Sequence, residues 1–184
     1  MSKSSPKIGF ICGSLRKGSI NQKLSQALQT IARQKGLIAE DIDLGAYDLP
    51  IFHGDLETPP GVKTLIEDIK TYAGVVIVTP EYNGGLPPVL KNAIDWTTTV
   101  ETGHISNKVY GVASCVPGAL SGVMVMRELQ FLLMRLGADL VATQTGCGHA
   151  GTAFNDGGDL IAKRVKELAE IMFDQMISRI SQQR

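Results

Sequence analysis

Residues 13–24, GSLRKGSINQKL, crowd hydroxyl, amide and basic groups between an apolar run, KIGFIC at 7–12, and an amphipathic segment. Backbone N–H groups at a helix start, the hydroxyls of Ser14 and Ser19, the Asn21 amide and the Arg16 guanidinium together suit an anion, phosphate above all. A plain strand-to-helix turn, bent at Gly18 and capped by Ser19, is the alternative. It needs one hydroxyl and leaves Ser14, Arg16 and Asn21 without a task. Gly13 and Gly18 have Walker-loop spacing, but Ser19 and Ile20 stand where Lys and Ser/Thr are required, and GxGxxG is absent. A single phosphomonoester therefore fits better than a nucleoside triphosphate or a dinucleotide. No acidic residue lies in the loop to hold magnesium.

A second informative stretch is TPEYNGGLPPVLKNAIDW at 79–96. Pro80, Gly84, Gly85, Pro87 and Pro88 predict a tight exposed turn, with Pro87 or Pro88 in the first turn of the next helix. Glycines admit a flat ligand to the backbone, while Glu81, Tyr82 and Asn83 offer polar edges and an aromatic wall. A turn, a helix and a core Trp96 would explain the same residues without a ligand.

Other residues of reactive type have plainer readings. Cys147 and His149, in TGCGHAG, resemble a nucleophile and its base, but no oxyanion loop accompanies them, and both are expected on the rim of the site. His53 is expected at the surface, and Asp156 and Asp159 as caps of the last helix. Cys12, Cys115 and Cys147 are odd in number and lack CxxC spacing, which suits neither a disulfide framework nor a zinc site. No metal ligand set and no catalytic side chain is expected.

The elements that must position these loops alternate along 184 residues, 43% of them hydrophobic, enough for one domain spanning 1–184. Near-continuous apolar runs at 7–12, 74–79 and 109–116 read as central parallel strands. The mixed run at 37–44 reads as an edge strand, and ADLVAT at 138–143 as a fifth strand. Helical faces are formed by Ile20, Leu24, Ala27, Leu28 and Ile31, by Val62, Leu65, Ile66 and Ile69, and by Ile161, Val165, Leu168, Met172, Met176 and Ile180. The alternation predicts an open, doubly wound α/β sheet with ligand loops at the strands' carboxyl ends. Equal counts of basic and acidic residues, 18 each, give no field favouring nucleic acid or anionic membrane. The apolar runs are too short to span a membrane, and a soluble cytoplasmic protein is expected. The segment at 120–136 is apolar on more than one side: Val125, Leu129, Leu132 and Leu136 can face the sheet, leaving Met124, Phe131 and Met134 for a partner.

The pair GSLRKGSINQKL and VVIVTPEYNGGLPPVLKNAIDW resembles the NADPH-dependent FMN reductase family, in its quinone and chromate reductase branch, over essentially the whole chain. The resemblance implies a flavodoxin-like five-stranded parallel sheet of order 2-1-3-4-5, non-covalent FMN, NAD(P)H as co-substrate, and homodimers or homotetramers. It assigns the FMN phosphate to Ser14, Leu15, Arg16, Lys17, Gly18, Ser19, Ile20 and Asn21. Pro80, Glu81, Tyr82, Asn83 and Gly84 would line the isoalloxazine ring, with the Val116 backbone beside it. Chemistry would reside in the flavin: ping-pong transfer of hydride from NAD(P)H to FMN, then of two electrons to a quinone, with side reduction of chromate, other metal oxyanions, nitro or azo compounds. A flavodoxin-type carrier and a non-catalytic flavin or nucleotide sensor are the competing readings; a carrier is usually strongly acidic, and this chain is neutral.

Overall fold

In a computed structural model describing residues 5–183, the run KIGFIC forms β1 (Lys7–Cys12), the second strand of a parallel sheet ordered β2-β1-β3-β4-β5. Its neighbours are β2 (Ile38–Ile42), at the edge as its mixed composition predicts, and β3 (Gly74–Val78). β4 (Val109–Cys115) pairs with β3 on its other side. Every residue of β3 and β4 is buried, as strands covered on both faces must be.

Side chains alternate across the sheet into two cores. On one face Ile8, Phe10, Val76, Val78 and Ala113 meet α1 (Ile20–Gln34) and α6 (Lys163–Gln182). On the other, Ile11, Val75, Ile77 and Val112 meet α2 (Pro60–Lys70), α3 (Pro88–Val100) and α4 (Val123–Arg135). Helix α1 ends where Gly36, at φ +81°, takes the left-handed conformation its lack of a Cβ permits. Pro87 and Pro88 fix the start of α3. Trp96 is a core residue, its indole N–H donating to Pro50 O at 2.6 Å.

The far edge departs from the sequence reading. The expected strand at 138–143 is only β5 (Asp139–Leu140), and the rest of the edge is supplied by β6 (Thr145–Cys147), which pairs with the carboxyl half of β4. Val141 N–H still donates to Tyr110 O at 3.0 Å, after which Gln175 of α6 takes over: its Oε1 accepts from Thr143 N–H and its Nε2 donates to Thr143 Oγ1, each at 3.0 Å. After β6 comes a single helical turn, α5 (Ala150–Ala153). The last helix starts at Lys163, so Ile161 lies outside it and is exposed. Nor do Asp156 and Asp159 cap it. The residue before α6 is Ala162, without a side-chain cap, and Asp159 instead closes a turn with Asn155 through bonds of 2.8 and 3.0 Å.

Candidate functional site

The loops after β1, β3, β4 and β6 gather at the strands' carboxyl ends, where a doubly wound sheet binds ligands. In the first loop Ser19 caps α1, its Oγ accepting from Asn21 N–H at 3.2 Å, and Gly18 turns the chain at φ +70°. The hydroxyl proton of Ser19 is therefore left to donate. Among the described residues, the N–H groups of Ser14, Leu15, Arg16, Lys17 and Gly18 have no acceptor in the chain. Arg16 and Lys17 are exposed beside them. Five unpaired N–H groups, a capping hydroxyl and two cations at a helix start fit a phosphate, which brings charged acceptor oxygens to all of them.

Asn21 has a different place. It is 1% exposed; its Nδ2 donates to Cys115 O at 2.9 Å and its Oδ1 accepts from Cys115 N–H at 2.8 Å. The amide thus clamps the start of α1 to the end of β4, with both of its polar atoms engaged there. Two buried peptide groups at a strand end need partners, and a primary amide matches both.

In the second loop Asn83 and Gly84, at φ +52° and +80°, form a two-residue hairpin closed by Tyr82 N–H to Gly85 O (3.1 Å) and Gly85 N–H to Tyr82 O (3.0 Å). Left-handed conformations at both central positions are what Asn-Gly supplies. Tyr82 stands 48% exposed, a free aromatic wall. Two carboxylates anchor this loop to α4. Glu81 Oε2 accepts from Val125 N–H at 3.1 Å, capping a helix whose own N-cap is Gly122. Glu128 Oε2 reaches back to accept from Leu86 N–H at 2.9 Å. Glu81 thus anchors the platform through one carboxylate oxygen. Glu128 was missed from sequence: it lies 42 residues from its partner, and an acid on an exposed helix face gives no local signal.

The third wall is the end of β4. The Val116 N–H donates to Cys147 O at 2.9 Å, continuing the β4–β6 ladder, so it is not free for the ring as expected. Gly148 permits the approach of the 118–121 segment: a Cβ there would lie 2.8 Å from Ser121 Oγ and 2.9 Å from Gly118 O. That packing explains the glycine spacing in TGCGHAG. Cys147 is not on the rim; it is a buried β6 residue, whereas His149 is exposed with a left-handed backbone. His53 is a surface residue 3.9 Å from Asp55.

Beside the first loop lies a cleft of about 510 Å³ lined by Cys12, Ser14, Leu15, Gln22, Asp41 and Asp43 among others. Asp41 Oδ1 accepts from Gln29 at 2.6 Å and Asp43 Oδ1 from Gly45 N–H at 2.9 Å. A second, apolar cavity lies in the core under α2 and α3 and is lined by His104. Burial pushes the His104 pKa down to about 4, outweighing Glu101, 3.9 Å away, which favours the charged form. Among the described residues no group of three or more His, Cys, Asp or Glu side chains could hold a metal ion, and no helix is long and apolar enough to cross a membrane.

Residues 6–152 match the model of the family described as NADPH-dependent FMN reductase. A quinone reductase of Pseudomonas putida is 34% identical over 161 residues, 83% of each chain. One from Escherichia coli is 33% identical over 136 residues, 70% of this chain and 69% of that relative. The flavoenzyme NAD(P)H:(acceptor) oxidoreductase FerB of Paracoccus denitrificans superposes with a TM-score of 0.81 at 26% identity, over 96% of this chain and 98% of its own. With the match covering most of the sequence, the chain belongs to the NADPH-dependent FMN reductase family and is an NAD(P)H-dependent FMN oxidoreductase.

Proposed function

We propose that the enzyme reduces quinones, taking hydride from NAD(P)H and passing two electrons on by a ping-pong cycle at one exposed face. The observation that carries this reading is the first loop, where five N–H groups without acceptors surround the Ser19 cap. Ser14, Leu15, Arg16, Lys17, Gly18, Ser19 and Ile20 would hold the FMN phosphate there. Pro80, Tyr82, Asn83 and Gly84 would lie along the ring, with Glu81 and Glu128 fixing the height of that platform through α4. FMN, when bound, supplies the redox chemistry, accepting hydride in one half-reaction and giving up two electrons in the next. The protein's part is to bind the phosphate, hold the ring against a rigid hairpin and leave one face open. The relatives named as quinone reductases support the acceptor class. Chromate, other metal oxyanions, nitro and azo compounds would be reduced at the same open face.

Assembly completes the proposal. Leu120, Met124, Phe131 and Met134 are 71, 56, 68 and 62% exposed along α4 and its approach, an apolar stripe that a second copy would cover. The expected state is a homodimer or homotetramer.

Anaerobic mixing with NADPH or NADH tests the reaction. The flavin should bleach, the pigment released by heat should be FMN, and double-reciprocal plots at several quinone concentrations should be parallel. Intersecting lines would replace ping-pong by a ternary complex. A flavin that stays oxidised in excess reductant would return the protein to the carrier or sensor class.

A further inference from the structure

We propose that Cys115 and Cys147 are an oxidisable dithiol, converted by hydrogen peroxide into an intrachain disulfide that cross-links β4 to β6 beneath the ligand loops. The two residues are register partners on adjacent parallel strands, so their side chains leave the sheet on the same face. Both lie in the core shared with α1 and α6. Neighbouring strands run about 4.7–4.9 Å apart, inside the roughly 4.4–6.8 Å between Cα atoms that a disulfide accepts. The surroundings hold this register. Asn21 grips both polar atoms of the Cys115 backbone, and Val116 N–H grips Cys147 O.

Both thiols are buried side by side in the ladder, and the Cys147 thiol is the one turned towards the loop, its Sγ 3.7 Å from Gly148 O. The neighbouring thiol and burial push the Cys115 pKa up, and the proximity of Cys115 lowers that of Cys147. Cys147 is then the attacking sulfur, since the thiolate is the nucleophile. Its side chain is buried, but it sits between Gly146 and Gly148 one residue below a partly exposed loop. A small neutral oxidant needs only local opening there.

In the first step the Cys147 sulfur attacks one peroxide oxygen and the O–O bond breaks. Cys147 becomes a sulfenic acid, and the other oxygen leaves as water with the thiol's proton. In the second, the Cys115 sulfur displaces the hydroxyl from Cys147, the S–S bond forms, and the hydroxyl departs as water with the Cys115 proton. Two thiols lose two electrons and one peroxide becomes two waters. Cys12 stands apart at the end of β1, its Sγ 3.8 Å from Ser14 O.

The test uses the purified, FMN-loaded wild-type enzyme, exposed to graded hydrogen peroxide, quenched with catalase, alkylated in denaturant and weighed. Alkylatable thiols should fall from the three free cysteines to Cys12 alone. The peptides bearing Cys115 and Cys147 should appear joined and two hydrogens lighter, and dithiothreitol should restore all three thiols. Met124, 56% exposed, serves as the internal gauge of dose. If Met124 oxidises while all three thiols remain, the pair is inert and the proposal fails. It fails equally if Cys147 gains oxygens without a cross-link, or if Cys12 supplies a partner. Thiol count and mass do not depend on turnover, so failure of the quinone reaction would leave this result readable.

Discussion

Replacing Asn21 with Ala separates a structural clamp from a ligand contact. The amide pairs both polar atoms of the Cys115 backbone, at 2.8 and 2.9 Å, and it is 1% exposed. Truncation leaves a buried donor and a buried acceptor unpaired, each costing about 1–3 kcal/mol. Partial hydration from the neighbouring loop lowers the sum, and we expect a loss of about 3 kcal/mol from the apoprotein. For a chain of this length that lowers the melting temperature by about 6–12 °C. Urea unfolding of flavin-free protein measures it directly, and fluorescence titration supplies the second axis. A clamp that sets the start of α1 relative to β4 affects FMN and riboflavin alike. Apoprotein stability unchanged within about 0.5 kcal/mol, with affinity lost for FMN but not riboflavin, would refute the clamp and restore Asn21 to the phosphate.

Arg16→Ala should show the opposite pattern, weakening FMN by about tenfold, about 1.4 kcal/mol, and riboflavin far less, with stability unmoved; equal losses in the titration would remove Arg16 from the phosphate. For His104, the folded pKa near 4 lies below the unfolded value near 6.5. The unfolded chain therefore binds more protons between those values, and stability falls as pH drops through the window, by at most about 3 kcal/mol. Urea midpoints from pH 6.5 to 4 should show a shallower fall in His104→Leu. Phe131→Glu should lower the oligomer mass in light scattering with the monomer's circular dichroism intact; an unchanged mass would mean the stripe is not the interface. Glu128→Ala should cost about 1 kcal/mol of stability and weaken FMN, and Glu128→Gln, which keeps an acceptor for Leu86 N–H, should recover most of both in the same titration.

What could be read from sequence follows from how local the determining forces are. β1, β3 and β4 are buried on both faces, so KIGFIC, GVVIV and VYGVASC announce themselves as unbroken apolar runs. The hairpin at Asn83 and Gly84 and the Ser19 cap are likewise set by residues within a turn of one another. The edge at 138–147 is not: ADLVAT has strand composition, yet Gln175, 32 residues on, draws Thr143 out of the ladder. Asn21 has the right chemistry for phosphate and the right place in the loop, and only its backbone partner 94 residues away diverts it. Glu81 and Glu128 illustrate the same limit, since a carboxylate's partner is a matter of tertiary geometry that its neighbours in sequence do not encode.

The broken edge also bears on how the chain behaves in crowded solution. An uninterrupted strand at 138–147 would expose a row of free N–H and C=O groups beside β4, a template on which another chain could add a strand. Here that row is cut into pieces of two and three residues. No stretch is left long enough to nucleate intermolecular pairing on that side. Gln175 shares in that break by holding Thr143, whose N–H would otherwise continue the row that Asp139 and Val141 donate to β4: freeing Thr143 should lengthen the edge strand and make the far side of the sheet more adhesive.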